Sequence, residues 1–124
     1  MASFANIQGT ETTPSVSFDA NGRRLCVIGE SYPENAFQFF RPILEWARAH
    51  CDNEGLTLDL RVVYMNTSSV RCVMDLLDVL EDAHVRGRSV KVVWRYRASD
   101  SRARKMGEEF FEDLTLPNEL VAEG

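Results

Sequence analysis

Histidine and cysteine are scarce in this chain, and their scarcity narrows the chemistry open to it. There are two histidines, His50 and His84, and three cysteines, Cys26, Cys51 and Cys72. The cysteines are odd in number and widely spaced, so they fit neither a zinc-ligand pattern nor a disulfide framework. Cys26 and Cys72 lie in apolar contexts and read as small core residues. Cys51, near a predicted helix end, reads as partly exposed. Such cysteine use suits a reducing cytoplasm. A serine nucleophile needs a histidine base and an orienting acid, and the Gly-x-Ser-x-Gly elbow is absent. Both histidines fall near predicted helix ends, where a cation suits the dipole. No catalytic residue, metal site or cofactor is expected.

Long apolar runs and excess basic charge are missing too. No run approaches the roughly 20 residues of a membrane span. The first ten residues carry neither the basic nor the apolar region of a signal peptide. Lys and Arg number 14 against 19 Asp and Glu, for a net charge of −5. Generic nucleic-acid binding needs a basic footprint instead. The expectation is a cytoplasmic protein that meets other proteins, with no nucleic acid and no membrane among its partners.

What is present fits one domain over residues 1–124. At 124 residues and 44% hydrophobic content the chain can bury a real core. Residues 1–12, small and polar, are expected to be loosely held. Alternation over 15–18, then Asn21-Gly22, then an apolar run over 24–29 predicts an antiparallel hairpin. Residues 30–35 form a turn that contains Pro33. Over 36–50, Phe37, Phe40, Leu44 and Ala47 recur at helical spacing, with Phe39, Ile43 and Trp46 beside them. Gly55 is a plausible terminator after that helix.

Residues 56–65 alternate as a strand. Leu56, Leu58, Leu60, Val62 and Tyr64 are expected on one face, and Thr57, Asp59, Arg61, Val63 and Met65 on the other. A second helix is predicted over 68–85, with Val70, Val73, Met74, Leu77 and Leu80 on its apolar side. Arg71, Asp75, Asp78 and Asp82 form a charged stripe, which reads as solvated surface. A strand over 89–97 puts Trp94 and Tyr96 in the core, with Arg95 and Arg97 outside. A third helix is predicted over 101–114, before Pro117. The tail is left open between a short strand and coil.

The fold class is therefore α/β. Helical crossovers make the second, third and fourth strands parallel. Strands buried on both faces would be continuously apolar, whereas these alternate. The expected architecture has two layers: a mixed four-stranded sheet in the order 1-2-3-4, its first strand antiparallel, with helices mainly on one face.

The most informative stretch is the strand that runs into Asn66-Thr67-Ser68-Ser69. The tetrad opens a helix, where free N–H groups and the dipole favour negative charge. Such residues are also ordinary helix caps, worth about 1 kcal/mol. In a parallel sheet, functional loops gather at the carboxyl ends of the strands. Two loops meet that rule: Glu30-Ser31-Tyr32-Pro33-Glu34-Asn35 and the tetrad. If their strands are neighbours, the loops share one surface.

Leu58-Asp59-Leu60 followed by the tetrad and a helix resembles STAS domains of the anti-sigma-factor-antagonist type. Asn66 stands where those chains often carry Asp, and Val70 where they often carry Gly. The chain is more closely similar to the SiaC family of bacterial regulatory phosphoproteins. It shares with them Ser-Tyr-Pro-Glu-Asn (Ser31 to Asn35), Tyr-x-Asn-Thr-Ser-Ser (Tyr64 to Ser69) and a helix with Met74-Asp75. The resemblance implies a STAS-like fold and a non-enzymatic partner switch. In the switch that the resemblance implies, a histidine-kinase-like protein kinase phosphorylates a threonine and a metal-dependent phosphatase of the PP2C type removes the phosphate. The resemblance further implies that the unphosphorylated form activates a diguanylate cyclase, raising cyclic di-GMP and favouring biofilm formation. The family's phosphothreonine corresponds to Thr67; spacing alone allows Thr67 or Ser68. The implied partner surface comprises Glu30, Ser31, Tyr32, Pro33, Glu34, Asn35, Tyr64, Asn66, Ser68 and Ser69. The STAS resemblance implies an alternative, an anti-sigma factor antagonist that controls transcription. A small enzyme using the tetrad on a phosphorylated or acyl substrate is the reading from another class.

Overall fold

The computed structural model describes residues 6–124. Eight elements follow one another: β1 (Ser15–Asp19), β2 (Arg24–Ser31), α1 (Ala36–Cys51), β3 (Leu56–Met65), α2 (Thr67–Val85), β4 (Val90–Arg97), α3 (Ser101–Phe111) and β5 (Asn118–Glu123). The sheet has five strands in the order β1-β2-β3-β4-β5. β1 pairs antiparallel with β2, and the other neighbours are parallel.

The expected order and directions hold, but the sheet has a fifth strand where four were expected. β5 is Asn-Glu-Leu-Val-Ala-Glu, with only a short apolar centre. As an edge strand it pairs on one side, so its sequence carries a weak burial signal. β4 and the residue after it hold it: the Ala98 N–H donates to the Glu123 carbonyl at 2.7 Å, and Lys91 pairs with Glu119 at 3.1 Å. α3 also ends earlier than expected, at Phe111. Its Gly107 lies so close to the sheet that a Cβ there would stand 2.4 Å from the Trp94 ring and 2.7 Å from Leu120.

The hairpin forms, yet Gly22 does not supply its left-handed residue. The turn covers residues 20–23, and Arg23 takes the positive φ, 50°. Residues 1–5 of the stretch expected to be loose lie outside the described residues. Within the rest, Ile7 and Val16 exchange backbone hydrogen bonds of 2.8 and 2.9 Å.

One hydrophobic core gathers α1, α2 and α3 against a single face of the sheet. Phe40, Ile43, Leu58, Leu60, Leu76, Leu80 and Trp94 are fully buried in it. The Trp94 indole N–H donates to the Ala103 carbonyl at 2.8 Å. The opposite sheet face is charged. Asp59 accepts from Arg24 and, at 2.9 Å, from Arg95, and Arg61 meets Glu123 at 2.8 Å. This pairing lets Asp59 sit buried without leaving an uncompensated charge. Cys26 lies on this charged face opposite Asp59 rather than in the core. Cys51 is fully buried rather than partly exposed, and burial pushes its thiol up to about 11. Among the described residues no helix is long and apolar enough to cross a membrane.

Candidate functional site

The alternation of β3 breaks once, and the break shapes the site. Gly29 pairs with Val62, but Glu30 pairs with Tyr64, so Val63 is an extra residue on β3. A bulge of this kind exchanges the two faces of the strand beyond it. Gly29, at φ 128°, supplies the backbone freedom on β2. Tyr64, expected on the core face, is therefore 55% exposed, and Met65 is buried in its place. The Tyr64 ring meets Tyr32 edge to face, with centroids 5.7 Å apart. Tyr32 of the first loop and Tyr64 of the strand that leads into the tetrad thus form one aromatic pair at the carboxyl ends of adjacent strands.

Asn66 joins the loops. Its side-chain oxygen accepts from the Ser69 N–H at 2.9 Å and caps α2. Its side-chain amide donates to the Pro33 carbonyl at 3.3 Å. Its backbone N–H donates to the Ser31 carbonyl at 3.0 Å, and its own carbonyl accepts from Val70 at 3.0 Å. On the far side, the Tyr32 N–H donates to the Thr12 carbonyl at 2.8 Å. That last contact links residues twenty apart through no local motif, so no sequence signal marks it. Asn35 caps α1 by accepting from Gln38 at 3.0 Å.

The tetrad itself divides. Thr67 and Ser68 are exposed, and Ser69 is fully buried. Ser69 shares a hydrogen bond of 2.7 Å with the hydroxyl of Ser31, which is 1% exposed. Ser31 and Ser69, expected on the partner surface, stand below it and fix its shape. Glu30, Glu34 and Asn35 are exposed, while Tyr32, Pro33 and Asn66 are half-buried. The N–H groups of Thr67 and Ser68 have no intrahelical partner. The first turn of α2 carries no acidic side chain, so the positive end of its dipole is not offset there.

Neither histidine stands beside these hydroxyls. His50 is buried at the end of α1, where its Nε2 meets the Gly55 carbonyl at 2.9 Å and its ring stacks on Trp46. His84 lies in the last turn of α2, at the opposite end from Thr67. Among the described residues no group of three or more His, Cys, Asp or Glu is placed to hold a metal ion.

An α/β sheet with helices on one face thus presents exposed hydroxyls on a hydrogen-bonded two-loop surface. The chain belongs to the SiaC family of regulatory phosphoproteins, whose family model matches residues 7–123. It is 42% identical to an uncharacterized protein of Pseudomonas aeruginosa strain UCBPP-PA14, over 94% of each chain. It is similar to a chain in the crystal structure of the diguanylate cyclase SiaD in complex with its activator SiaC, from P. aeruginosa. The TM-score there is 0.92 at 38% identity, covering 97% of this chain and 100% of that one. SiaC of P. aeruginosa, solved separately, matches with a TM-score of 0.89 at 40% identity, over 98% of this chain and all of the other.

Proposed function

We propose that this protein is a phosphorylation-controlled activator of a diguanylate cyclase. A kinase adds phosphate to Thr67, and a metal-dependent phosphatase removes it. The unphosphorylated form binds the cyclase through the surface built on residues 30–35 and 64–68, raising cyclic di-GMP. The observation that carries this reading is the exposed hydroxyl of Thr67 at an unoffset helix start, on a surface braced from both loops. The family and the cyclase complex of a SiaC relative supply the class of partner.

The switch follows from charge. A phosphothreonine carries about −1.5 to −2 charges at neutral pH. The helix start tolerates it, because the free N–H groups and the dipole attract an anion. A docked partner would instead bury that charge near Glu30 and Glu34. An unpaired buried charge costs several kcal/mol. Phosphorylation thus releases the partner without unfolding the protein. The order and one-sided layering of the sheet also support the STAS-like reading of the fold. The family match favours a cyclase over an anti-sigma factor as partner.

The test is peptide mass spectrometry and partner pull-down from the native host, comparing wild type with Thr67→Ala. A phosphate on Thr67, with a cyclase bound only by the unphosphorylated and Ala forms, is expected. An unmodified Thr67 across growth conditions, with identical partners for both proteins, would overturn the reading and leave the tetrad as a helix cap.

A further inference from the structure

The β3–β4 ladder ends at Leu60 and Trp94, although β3 continues to Met65 and β4 to Arg97. On their outer sides both strands stay paired to the end, Met65 with Ser31 of β2 and Arg97 with Glu123 of β5. The two strands therefore part at their carboxyl ends and leave a fork between them. A cavity of about 610 Å³ sits in that fork, walled by Val62 and Val63 of β3 and by Tyr96 of β4. That volume falls within the range of small-molecule sites. Backbone groups on the inner edges of the fork have no ladder partner across it, so they stay open to donate and accept as at a sheet edge. Open α/β sheets bind ligands outside the carboxyl ends of their strands, in the crevice where strand order reverses. The order β1-β2-β3-β4-β5 has no reversal, and the parting of β3 from β4 supplies the crevice instead.

The charge of this cavity runs against that of the chain. Net charge is −5, yet four arginines, Arg61, Arg95, Arg97 and Arg102, line the cavity against two acidic side chains, Asp100 and Glu123. Both acids are committed. Glu123 accepts from Arg61 at 2.8 Å and lies 3.8 Å from Arg95. Asp100 accepts from the Ala103 N–H at 3.0 Å. Arg97 and Arg102 are exposed, and among the described residues neither has an ion-pair partner. The hydroxyls of Ser99 and Ser101 line the same cavity. Guanidinium groups with hydroxyls beside them are phosphate-binding chemistry. The start of α3 adds little to it, because the Asp100 carboxylate already meets that dipole.

We infer that the fork binds a nucleotide, its phosphate on Arg97 and Arg102 and its base between the parted strands. A base is flat and stacks on an aromatic ring such as Tyr96. Its edge carries donors and acceptors in one plane, so it can pair with inner-edge backbone groups as a neighbouring strand would. The Leu60–Trp94 pair closes the base of the fork, which suits a compact ligand over a continuous chain. Free nucleoside triphosphates and the cyclic dinucleotide made by a diguanylate cyclase share this chemistry. The inference is independent of the reading of Thr67.

The test is calorimetric titration of the full chain with ATP, GTP, CTP, UTP, cyclic di-GMP and inorganic phosphate. At least one nucleotide is expected to bind, about tenfold or more tighter than inorganic phosphate. Arg97→Gln with Arg102→Gln is expected to weaken that binding about tenfold or more, the scale of lost hydrogen bonds to a charged group. Val63→Glu, at a 67% exposed position on the opposite wall, is expected to weaken it similarly. Arg41→Gln with Arg48→Gln removes the same charge from exposed positions on α1 and is expected to bind as wild type. Thermal unfolding checks each fold, and the two arginines of the fork are exposed and unpaired should Val63→Glu not fold. Tighter binding of the cyclic dinucleotide or of a triphosphate supports the inference and identifies the source of the ligand. No nucleotide bound at millimolar concentration would overturn it. Inorganic phosphate binding as tightly as any nucleotide would overturn the placing of a base in the fork. Equal losses in the α1 and fork arginine variants, or none in either, would overturn the site.

Discussion

α2 and α3 begin in the same way and differ in one atom of their caps. Each starts at the carboxyl end of a parallel strand, and each first residue carries an exposed hydroxyl, Thr67 or Ser101. Each cap accepts from the N–H three residues on: Asn66 from Ser69 at 2.9 Å, Asp100 from Ala103 at 3.0 Å. Asp100, however, brings a carboxylate to its helix start, and Asn66 brings a neutral amide. The dipole of α3 is already met by a negative charge, and that of α2 is not. A phosphate on Ser101 would stand beside Asp100, whereas one on Thr67 meets free N–H groups with no acidic side chain in the first turn. Asn66 also does what a carboxylate cannot, donating to the Pro33 carbonyl and so binding the neighbouring loop. The substitution of amide for acid makes one helix start receptive to phosphate and ties it to a surface.

Introducing a charge at each start is the strongest way to break this comparison. Thr67→Glu is expected to weaken cyclase binding by about 3 kcal/mol or more, the scale of an unpaired charge buried at an interface. Ser101→Glu lies on a cavity lined by Arg61 and Arg97. It should leave affinity within about threefold of wild type, as surface charges away from a contact do. Titration of both variants against the same cyclase measures the difference. Equal losses would mean that neither the cap nor the bracing distinguishes the two helices.

The bracing gives the next effect. α3 is held at its start by a local turn, in which Asp100 donates to the Arg97 carbonyl at 2.8 Å. α2 is held across the sheet by the buried Ser31 and Ser69 pair. Ser69→Ala leaves the Ser31 hydroxyl buried without its partner, which costs about 1–3 kcal/mol. Removing both hydroxyls removes the orphan as well, so the Ser31→Ala, Ser69→Ala double variant should be more stable than Ser69→Ala alone. Urea unfolding of the three proteins checks the order. A double variant no better than the single one would show that the pair does not act as a unit.

Much of this site was legible in the sequence, and the missing parts share a physical cause. The strand–tetrad–helix order placed Thr67 at a helix start, and parallel neighbours brought residues 30–35 beside it. Both follow from local periodicity and connection rules. The exposure of Tyr64 was not legible, because the bulge at Val63 is a property of two paired strands. The burial of Ser69 beside Ser31 was missed for the same reason: the two residues are 38 apart in the chain. β5 is not legible because an edge strand with half-exposed residues lacks the alternation that marks β3. Periodicity reports which face a residue takes within one element. It does not report what a neighbouring element does to that face.

The smallest effect contrasts the two ends of α2. At its start the supports are amides and hydroxyls, which do not titrate. Toward its far end Glu81 holds the α3–β5 connection: its carboxylate accepts from the Thr115 hydroxyl, from the Thr115 N–H at 2.8 Å and from the Leu116 N–H at 3.1 Å. Burial alone would push the Glu81 carboxyl up, but these hydrogen bonds outweigh it and hold the group below its ordinary value of 4.5. A folded value below the unfolded one means that Glu81 contributes stability above the unfolded value. That contribution is lost as pH falls through the folded value. Glu81→Gln should therefore cost on the order of 1 kcal/mol at pH 7, and the gap from wild type should close as the carboxyl protonates. Urea unfolding of both proteins from neutral pH to below 4.5 checks this. A gap that stays constant with pH would mean that Glu81 acts through packing instead of charge. Because Ser31, Asn66 and Ser69 have no proton to gain in that range, the bracing beneath Thr67 should outlast the hold at Glu81.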